Sequence, residues 1–260
     1  MNIDLSDKNA VVCGSTQGIG LATAQVLADM GASIYLLARD KNKLKEVLPK
    51  LSTSLGQKHQ FLCADFSQIE QVKEVADKIR NLSIHILVNN TGGPAGGPIK
   101  NATIEEFEKA FSMHLLCNQL LTQAVLKNMQ ACCFGRIVNI ISTSVKVPIN
   151  GLGVSNTIRG AVASWSKTMA NELGEHGITV NNVLPGFTNT NRLTTLICKK
   201  ATTQNTTEDA IAQQMLNSVP AKRFGQAQEV ANAIAFLCSP AAAYINGINL
   251  PVDGGRTGTL

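Results

Sequence analysis

The sequence predicts a doubly wound α/β fold, a single seven-stranded parallel sheet with helices on both faces. Three observations predict it. Short apolar runs rich in β-branched residues alternate with longer segments of helical period, the pattern of strand–helix–strand crossover units. Runs such as Ile84–Val88 and Arg136–Ile141 are mostly apolar without strict alternation, which suits strands buried on both faces. The first run ends in a glycine-rich turn that leads directly into a helical segment.

The expected strands are Ala10–Cys13, Ser33–Ala38, Gln60–Cys63, Ile84–Val88, Arg136–Ile141, Thr179–Val183 and Asn249–Val252. Helical period marks Gly18–Met30, Lys41–Leu51, Gln68–Arg80, Ile104–Gln130, Leu152–His176 and Glu229–Leu237. The fourth of these opens with Thr103-Ile104-Glu105-Glu106, a capping box in which the hydroxyl and the carboxylate each satisfy an exposed backbone N–H. The stretch from Thr188 to Val219 is polar, rich in Thr, Asn and Gln, and reads as an irregular lid rather than a domain boundary.

Composition narrows the function classes. With 260 residues, 44% hydrophobic and 16% charged, the chain can close one large core, so a single domain over 1–260 is expected. The net charge of +5 comes from Lys and Arg spread along the chain, which suits a phosphate-bearing small molecule better than nucleic acid. Seven cysteines, an odd number with none in C-x-x-C spacing, read as reduced packed thiols and suggest no metal site. No apolar run reaches the ~18 residues of a membrane span. Met1–Asp7 is polar with no basic-then-apolar leader, so a cytoplasmic location without membrane attachment is expected.

The turn after the first strand reads Gly14-Ser15-Thr16-Gln17-Gly18-Ile19-Gly20. Glycines let the backbone turn tightly and approach a pyrophosphate, and the free N–H groups and dipole of a helix N-terminus meet its charge. A plain tight turn is the bland alternative, and strand, turn and helix in this order make it the weaker one. The spacing Gly-x-x-x-Gly-Ile-Gly resembles the short-chain dehydrogenase/reductase superfamily, in its classical length class, and implies a Rossmann-type sheet and a nicotinamide cofactor. Other markers resemble the family in order: Asp65 with Phe66 beside the adenine, Asn89-Asn90-Thr91-Gly92 after the fourth strand, Asn139-Ile140-Ile141-Ser142, then Pro185, Gly186 and Thr188, and Val252-Asp253-Gly254-Gly255. The overall pattern is most like 3-oxoacyl-acyl-carrier-protein reductases.

Cofactor choice falls at the end of the second strand, where an acidic residue would accept from a ribose 2′-OH and a basic one would pair with a 2′-phosphate. By resemblance the acidic position is Ala38, followed by Arg39, so NADP(H) is the expected cofactor and NAD(H) the alternative. Gln17 departs from the basic residue of many NADP-dependent relatives, and Asp40 stands beside Arg39.

The resemblance implies a catalytic Ser, a Tyr thirteen residues later, a Lys four after that, and a helical Asn. Ser142 holds the first position, but the Tyr position falls on Ser155, the Lys position on Arg159 and the Asn position on His114. His114 reads equally well as a packing residue or as an acid/base partner of Ser142. Arg159 is suited to gripping the nicotinamide ribose but holds its own proton too tightly to be the acid, and Ser155 is placed to meet substrate or water. Thr91-Gly92-Gly93-Pro94 together with Ser155-Asn156-Thr157-Ile158-Arg159 resembles a divergent subgroup rather than random decay. The leading expectation is an NADP(H)-dependent oxidoreductase of a carbonyl/alcohol pair with a non-standard proton donor. The alternative is a catalytically silent NAD(P)-binding sensor or structural subunit. The resemblance also implies a homodimer or homotetramer through the fourth and fifth helices.

Overall fold

Seven strands form one parallel sheet in the computed structural model, which describes residues 1–259. They are β1 (Asn9–Cys13), β2 (Ser33–Ala38), β3 (Gln60–Cys63), β4 (Ile86–Asn89), β5 (Gly135–Ile140), β6 (Ile178–Pro185) and β9 (Asn249–Val252). The spatial order β3-β2-β1-β4-β5-β6-β9 reverses direction between β1 and β4. In doubly wound sheets ligands bind in the crevice at that switch, outside the carboxyl ends of the strands. β7 (Thr188–Asn189) and β8 (Gly225–Gln226) form a separate two-residue parallel ladder.

Alternating strand residues feed two cores, as a sheet covered on both faces requires. Val12, Leu36, Val138 and Val183 pack with Leu27 of α1 (Gly18–Asp29) and Ile234 of α9 (Ala227–Cys238). Val11, Leu37, Leu87 and Ile137 pack on the other face with α3 (Ile69–Ile79), α5 (Cys117–Ala131) and α6 (Gly153–Leu173), through Val75, Leu121 and Met169. α2 (Lys41–Val47) is capped by Asp40, whose Oδ1 accepts from the N–H groups of Asn42 and Lys43.

Two departures from the sequence reading matter for the site. The segment read as one helix over 104–130 is α4 (Ile104–Phe111), a π-helical turn at Ser112–Leu116, and then α5. A π turn inserts one residue and shifts the phase of the helix, and His114 within it is buried at 1% exposure. The segment read as an irregular lid contains two helices, α7 (Asn191–Gln204) and α8 (Glu208–Asn217). Leu193, Ile197 and Ala201 sit four apart on α7 and pack on Ile211 and Met215 of α8. Thr207 Oγ1 caps α8 by accepting from Ala210 N, and Asn205 closes α7 in the left-handed region at φ 50°. The many Thr, Asn and Gln of this hairpin occupy its outer faces and mask a short apolar stripe.

A row of asparagines crosses the carboxyl half of the sheet. Asn89, Asn139, Asn182 and Asn249 are register partners on β4, β5, β6 and β9. Asn89 Nδ2 donates to Asn139 Oδ1 at 2.8 Å, Asn139 Nδ2 to Asn182 Oδ1 at 3.1 Å, and Asn182 Nδ2 to Asn249 Oδ1 at 2.8 Å. Ser166 of α6 joins the row, its Oγ accepting from Asn139 Nδ2 at 2.9 Å. A buried polar group costs most when one partner is deleted and the others are stranded. Asn139→Ala is therefore expected to lower unfolding free energy by about 2–3 kcal/mol, measured by urea denaturation, with a smaller loss for Asn249→Ala at the half-buried end of the row.

Candidate active site

The glycine turn folds against itself. Gly14 and Gly18 adopt φ of 60° and 55°, conformations that side chains rarely take. A Cβ on Gly20 would stand 2.2 Å from the Gly14 carbonyl oxygen, so close backbone approach excludes any side chain there. Asn90 Nδ2 lies within hydrogen-bond reach of the Cys13 and Gly14 carbonyls, at 3.3 and 3.4 Å, and ties the end of β4 to the turn. α1 has no side-chain cap and no acidic residue in its first turn, which leaves its N-terminal N–H groups for an anion. Ser15 Oγ is buried without a partner beside them. These features fit the phosphates of a dinucleotide.

The remaining cofactor-side residues gather along the same edge. Arg39 is exposed at the end of β2, while Asp40 is committed to capping α2 and forms no ion pair with it. Asp65 accepts from Ser67 N at 2.9 Å, and that bond, ahead of the charges of Arg39 and Lys109, holds its carboxyl below the usual range. Phe66 is buried beside it. Gly186, with N–H to the Val252 carbonyl, is required by the close approach of Asp253, whose Cα a Cβ would meet at 2.6 Å. Pro185 ends β6, and Thr188 Oγ1 donates to the Gly186 carbonyl. Thr190 approaches the turn from α7: its Cγ2 would lie 3.3 Å from a Cβ on Gly18. Thr16, Gln17 and Ile19 complete the turn, with Gln17 exposed.

The chemistry-bearing residues collect beyond β4 and β5. Thr91 Oγ1 lies 2.6 Å from His114 Nδ1, whereas His114 Nε2 is buried with no partner. Burial, then the charges of Arg159 and Arg192, push the His114 imidazole down to about 2, so it is neutral at any working pH. Arg159, one turn along α6 from the buried Ser155, donates from Nη1 to the Ile140 carbonyl at 3.1 Å and from Nη2 to the Thr91 carbonyl at 3.5 Å. Its guanidinium is lowered to about 10 by burial and then by Arg192. Ser142 begins the short helical turn Thr143–Val145, and its Oγ accepts from Ser144 N at 3.1 Å. Its hydroxyl proton remains free to donate.

The sequence pattern thus puts Ser142, Ser155, Arg159 and His114 on elements that converge here, but it pairs His114 with Ser142. The hydrogen-bond partner of His114 is Thr91, and that of Ser142 is its own turn. Thr91 reads from the sequence as a cofactor residue only. Arg192 does not stand out in the sequence at all. Its one signal is a lone basic residue in a Thr- and Asn-rich stretch six residues after Gly186, and nothing in the pattern announces the helix that aims it.

The family model described as Enoyl-(Acyl carrier protein) reductase matches residues 14–257. The chain belongs to the short-chain dehydrogenase/reductase family. It is 31% identical to a 3-oxoacyl-acyl-carrier-protein reductase of Aquifex aeolicus, over 98% of this chain and 99% of the relative. Among solved structures it is similar to L-sorbose reductase of Gluconobacter frateurii complexed with NADPH and L-sorbose, at TM-score 0.92 and 30% identity over the whole of both chains. YwfH, an NADPH-dependent reductase involved in bacilysin biosynthesis, matches at TM-score 0.92 and 28% identity, covering 98% of this chain and 100% of that one. This short-chain dehydrogenase/reductase is accordingly an NAD(P)-dependent oxidoreductase acting on carbonyl/alcohol groups. Among its described residues, no helix is long and apolar enough to cross a membrane.

The buried His114 makes stability depend on pH. Its pKa is about 2 in the fold against an ordinary 6.5, so between those values the unfolded chain binds a proton that the native chain does not. Stability is then full above about pH 6.5 and falls as pH drops, by up to about 1.4 kcal/mol per pH unit. His85, also lowered by burial, acts in the same direction. Denaturant unfolding at several pH values checks this: His114→Gln is expected to flatten the slope below about pH 6.5 relative to wild type.

Proposed function

We propose that the chain is an NADP(H)-dependent carbonyl reductase that works without a phenol, at a site built from Ser142, His114, Thr91, Ser155 and Arg159. The observation that carries this reading is the Thr91–His114–Arg159 cluster at the crevice of the sheet, its histidine and arginine buried, next to a glycine turn that fits dinucleotide phosphates. The glycine turn and the α1 N-terminus hold the pyrophosphate. Arg39 pairs with the 2′-phosphate, Asp65 and Phe66 border the adenine, and the spare N–H groups of Arg159 hold ribose hydroxyls where the family places a lysine. The bound nicotinamide supplies the hydride.

Proton handling depends on the neutral imidazole. With the Thr91 hydroxyl donating to Nδ1, His114 carries its proton on Nε2 and offers a neutral N–H as a hydrogen-bond donor, a role that polarises a carbonyl without transferring a full proton. Ser142 Oγ donates a hydrogen bond to the substrate oxygen, and the alkoxide left by hydride addition takes its proton from a water held at Ser155, the resulting hydroxide being neutralised by solvent. A groove of about 310 Å³ opens next to the Thr143–Val145 turn that follows Ser142, lined in part by Thr143, Val147, Pro148 and Arg256, and is the candidate approach for substrate. The α7–α8 hairpin serves as the lid of a single domain. A second reading, a silent cofactor sensor, draws on one observation: neither His114 nor Arg159 titrates near neutrality.

The exposed Ile104, Phe111 and Leu116 on the α4–α5 segment suit association into a homodimer or homotetramer. The seven cysteines are all free thiols, which suits the cytoplasm.

Titration with NADPH and NADH, followed by a carbonyl panel, tests the reading. Arg39→Ala is expected to weaken NADPH by roughly tenfold while leaving NADH nearly unchanged, the size of one charge-assisted contact. His114→Ala is expected to lower kcat by about 10²-fold with cofactor binding retained. Tight NADPH binding with no turnover of any carbonyl would favour the sensor.

A further inference from the structure

Two arginines meet at the site with no acid between them. Arg159, 8% exposed, is backed by the Ile140 and Thr91 carbonyls. Arg192, in the first turn of α7, donates from Nη1 to the Gly93 carbonyl at 3.3 Å. Both guanidinium groups converge on Gly93: a Cβ there would stand 2.7 Å from Arg192 Nη2 and 3.5 Å from Arg159 Nη2. A side chain at this position would have to displace the tip of Arg192.

The electrostatics of the pair are unbalanced. Among the described residues the four ion pairs are Lys73–Glu70, Arg80–Asp77, His176–Glu175 and Arg223–Glu229, and none involves either arginine. Carbonyls satisfy individual N–H groups but leave the charge uncompensated, and a buried cation without a counter-charge is costly. The two cations also repel each other. Of five N–H donors each, Arg159 uses two and Arg192 one. Arg192 keeps enough accessible surface to meet a ligand, although the protein around its guanidinium lowers its proton affinity. On the same cluster, His114 Nε2 is a buried polar atom with no partner.

We infer that the corner at Gly93, between Arg159 and Arg192, seats the carboxylate of the substrate, so that the compounds reduced are oxo acids rather than neutral ketones. This rests on reading the site as a reductase site. Forked guanidinium donors match a planar carboxylate, and the neutral His114 N–H is left for the carbonyl. The phosphates of the dinucleotide have their own cradle at Gly14–Gly20, and the residue that closes over it ahead of α7 is Thr190, two positions before Arg192. Arg192 already ties α7 to the loop after β4 through the Gly93 carbonyl, and a carboxylate shared with Arg159 would reinforce that tie.

The test uses malonate as a carboxylate probe, titrated calorimetrically into free and NADP⁺-loaded protein, and a kinetic panel of 2-oxo and 3-oxo acids against their methyl esters with NADPH. Malonate is expected to bind the loaded protein, Arg192→Gln to weaken it by roughly 10- to 100-fold, and Arg192→Lys to recover part of the loss. NADPH affinity is expected to move by no more than about twofold in both variants. Acids are expected to exceed their esters in kcat/KM by roughly tenfold or more, and Arg192→Gln to erase that preference. Equal weakening of NADPH and malonate by Arg192→Gln would assign the arginine to the cofactor phosphates and overturn the inference. So would equal turnover of acids and esters by a protein that binds NADPH normally. Failure to bind NADPH at all would overturn the reductase reading itself, and this inference with it.

Discussion

The asparagine row across β4, β5, β6 and β9 is the constraint on which the site depends. Asn89 comes one residue before Asn90 and Asn139 three before Ser142, and Ser166 extends the row onto α6, the helix that carries Ser155 and Arg159. In a dry sheet interior amides bond across neighbouring strands, and although Asn89 Oδ1 at the end of the row is left without a partner, the three amide-to-amide bonds fix the register of four strands in a way that apolar packing alone would not specify. The carboxyl ends of β4 and β5 are thereby held at a defined height relative to each other and to α6. Thr91, Ser142 and Arg159 take their places from that alignment, and Asn90 carries it across the switch point to the glycine turn.

Beyond this frame the site is dominated by positive charge without a carboxylate to match it. A phenol–ammonium pair would provide a proton donor adjustable near neutrality, because the ammonium stabilises the phenolate. Ser155 and Arg159 provide no such donor. In its place stands a fixed polar environment: a neutral imidazole oriented by the Thr91 hydroxyl, a serine hydroxyl held by its own turn, and two guanidinium groups. Such preorganised dipoles stabilise developing charge on an oxygen without any group changing its ionisation beforehand.

The sheet and the cofactor edge are legible in the sequence because each is written locally. Val11-Val12-Cys13 running into Gly14 shows a buried strand and a phosphate turn within about a dozen residues, and Asp65, Asn90 and Pro185 each come at or just after the end of a strand that the apolar pattern already places. The π turn around His114 is not legible, since Ser112–Leu116 continues an amphipathic helical period and the extra residue shows only in the phase of α5. α7 and α8 are hidden for a related reason: their apolar stripe of Leu193, Ile197, Ala201, Ile211 and Met215 is short, and polar residues with modest helix propensity surround it. Arg192 escapes notice together with the helix that aims it. The pairing of His114 with Thr91 instead of Ser142 depends on side chains 23 positions apart, which no local pattern records.

The central claim, that carbonyl reduction here proceeds through fixed neutral donors, is tested most directly by the pH dependence of kcat/KM for NADPH-linked reduction. With His114 titrating near 2 and Arg159 near 10, the profile is predicted to be flat from about pH 5 to about pH 9. An inflection near 6.5 that disappears in His114→Gln would show an imidazole working as a titrating acid and contradict the account.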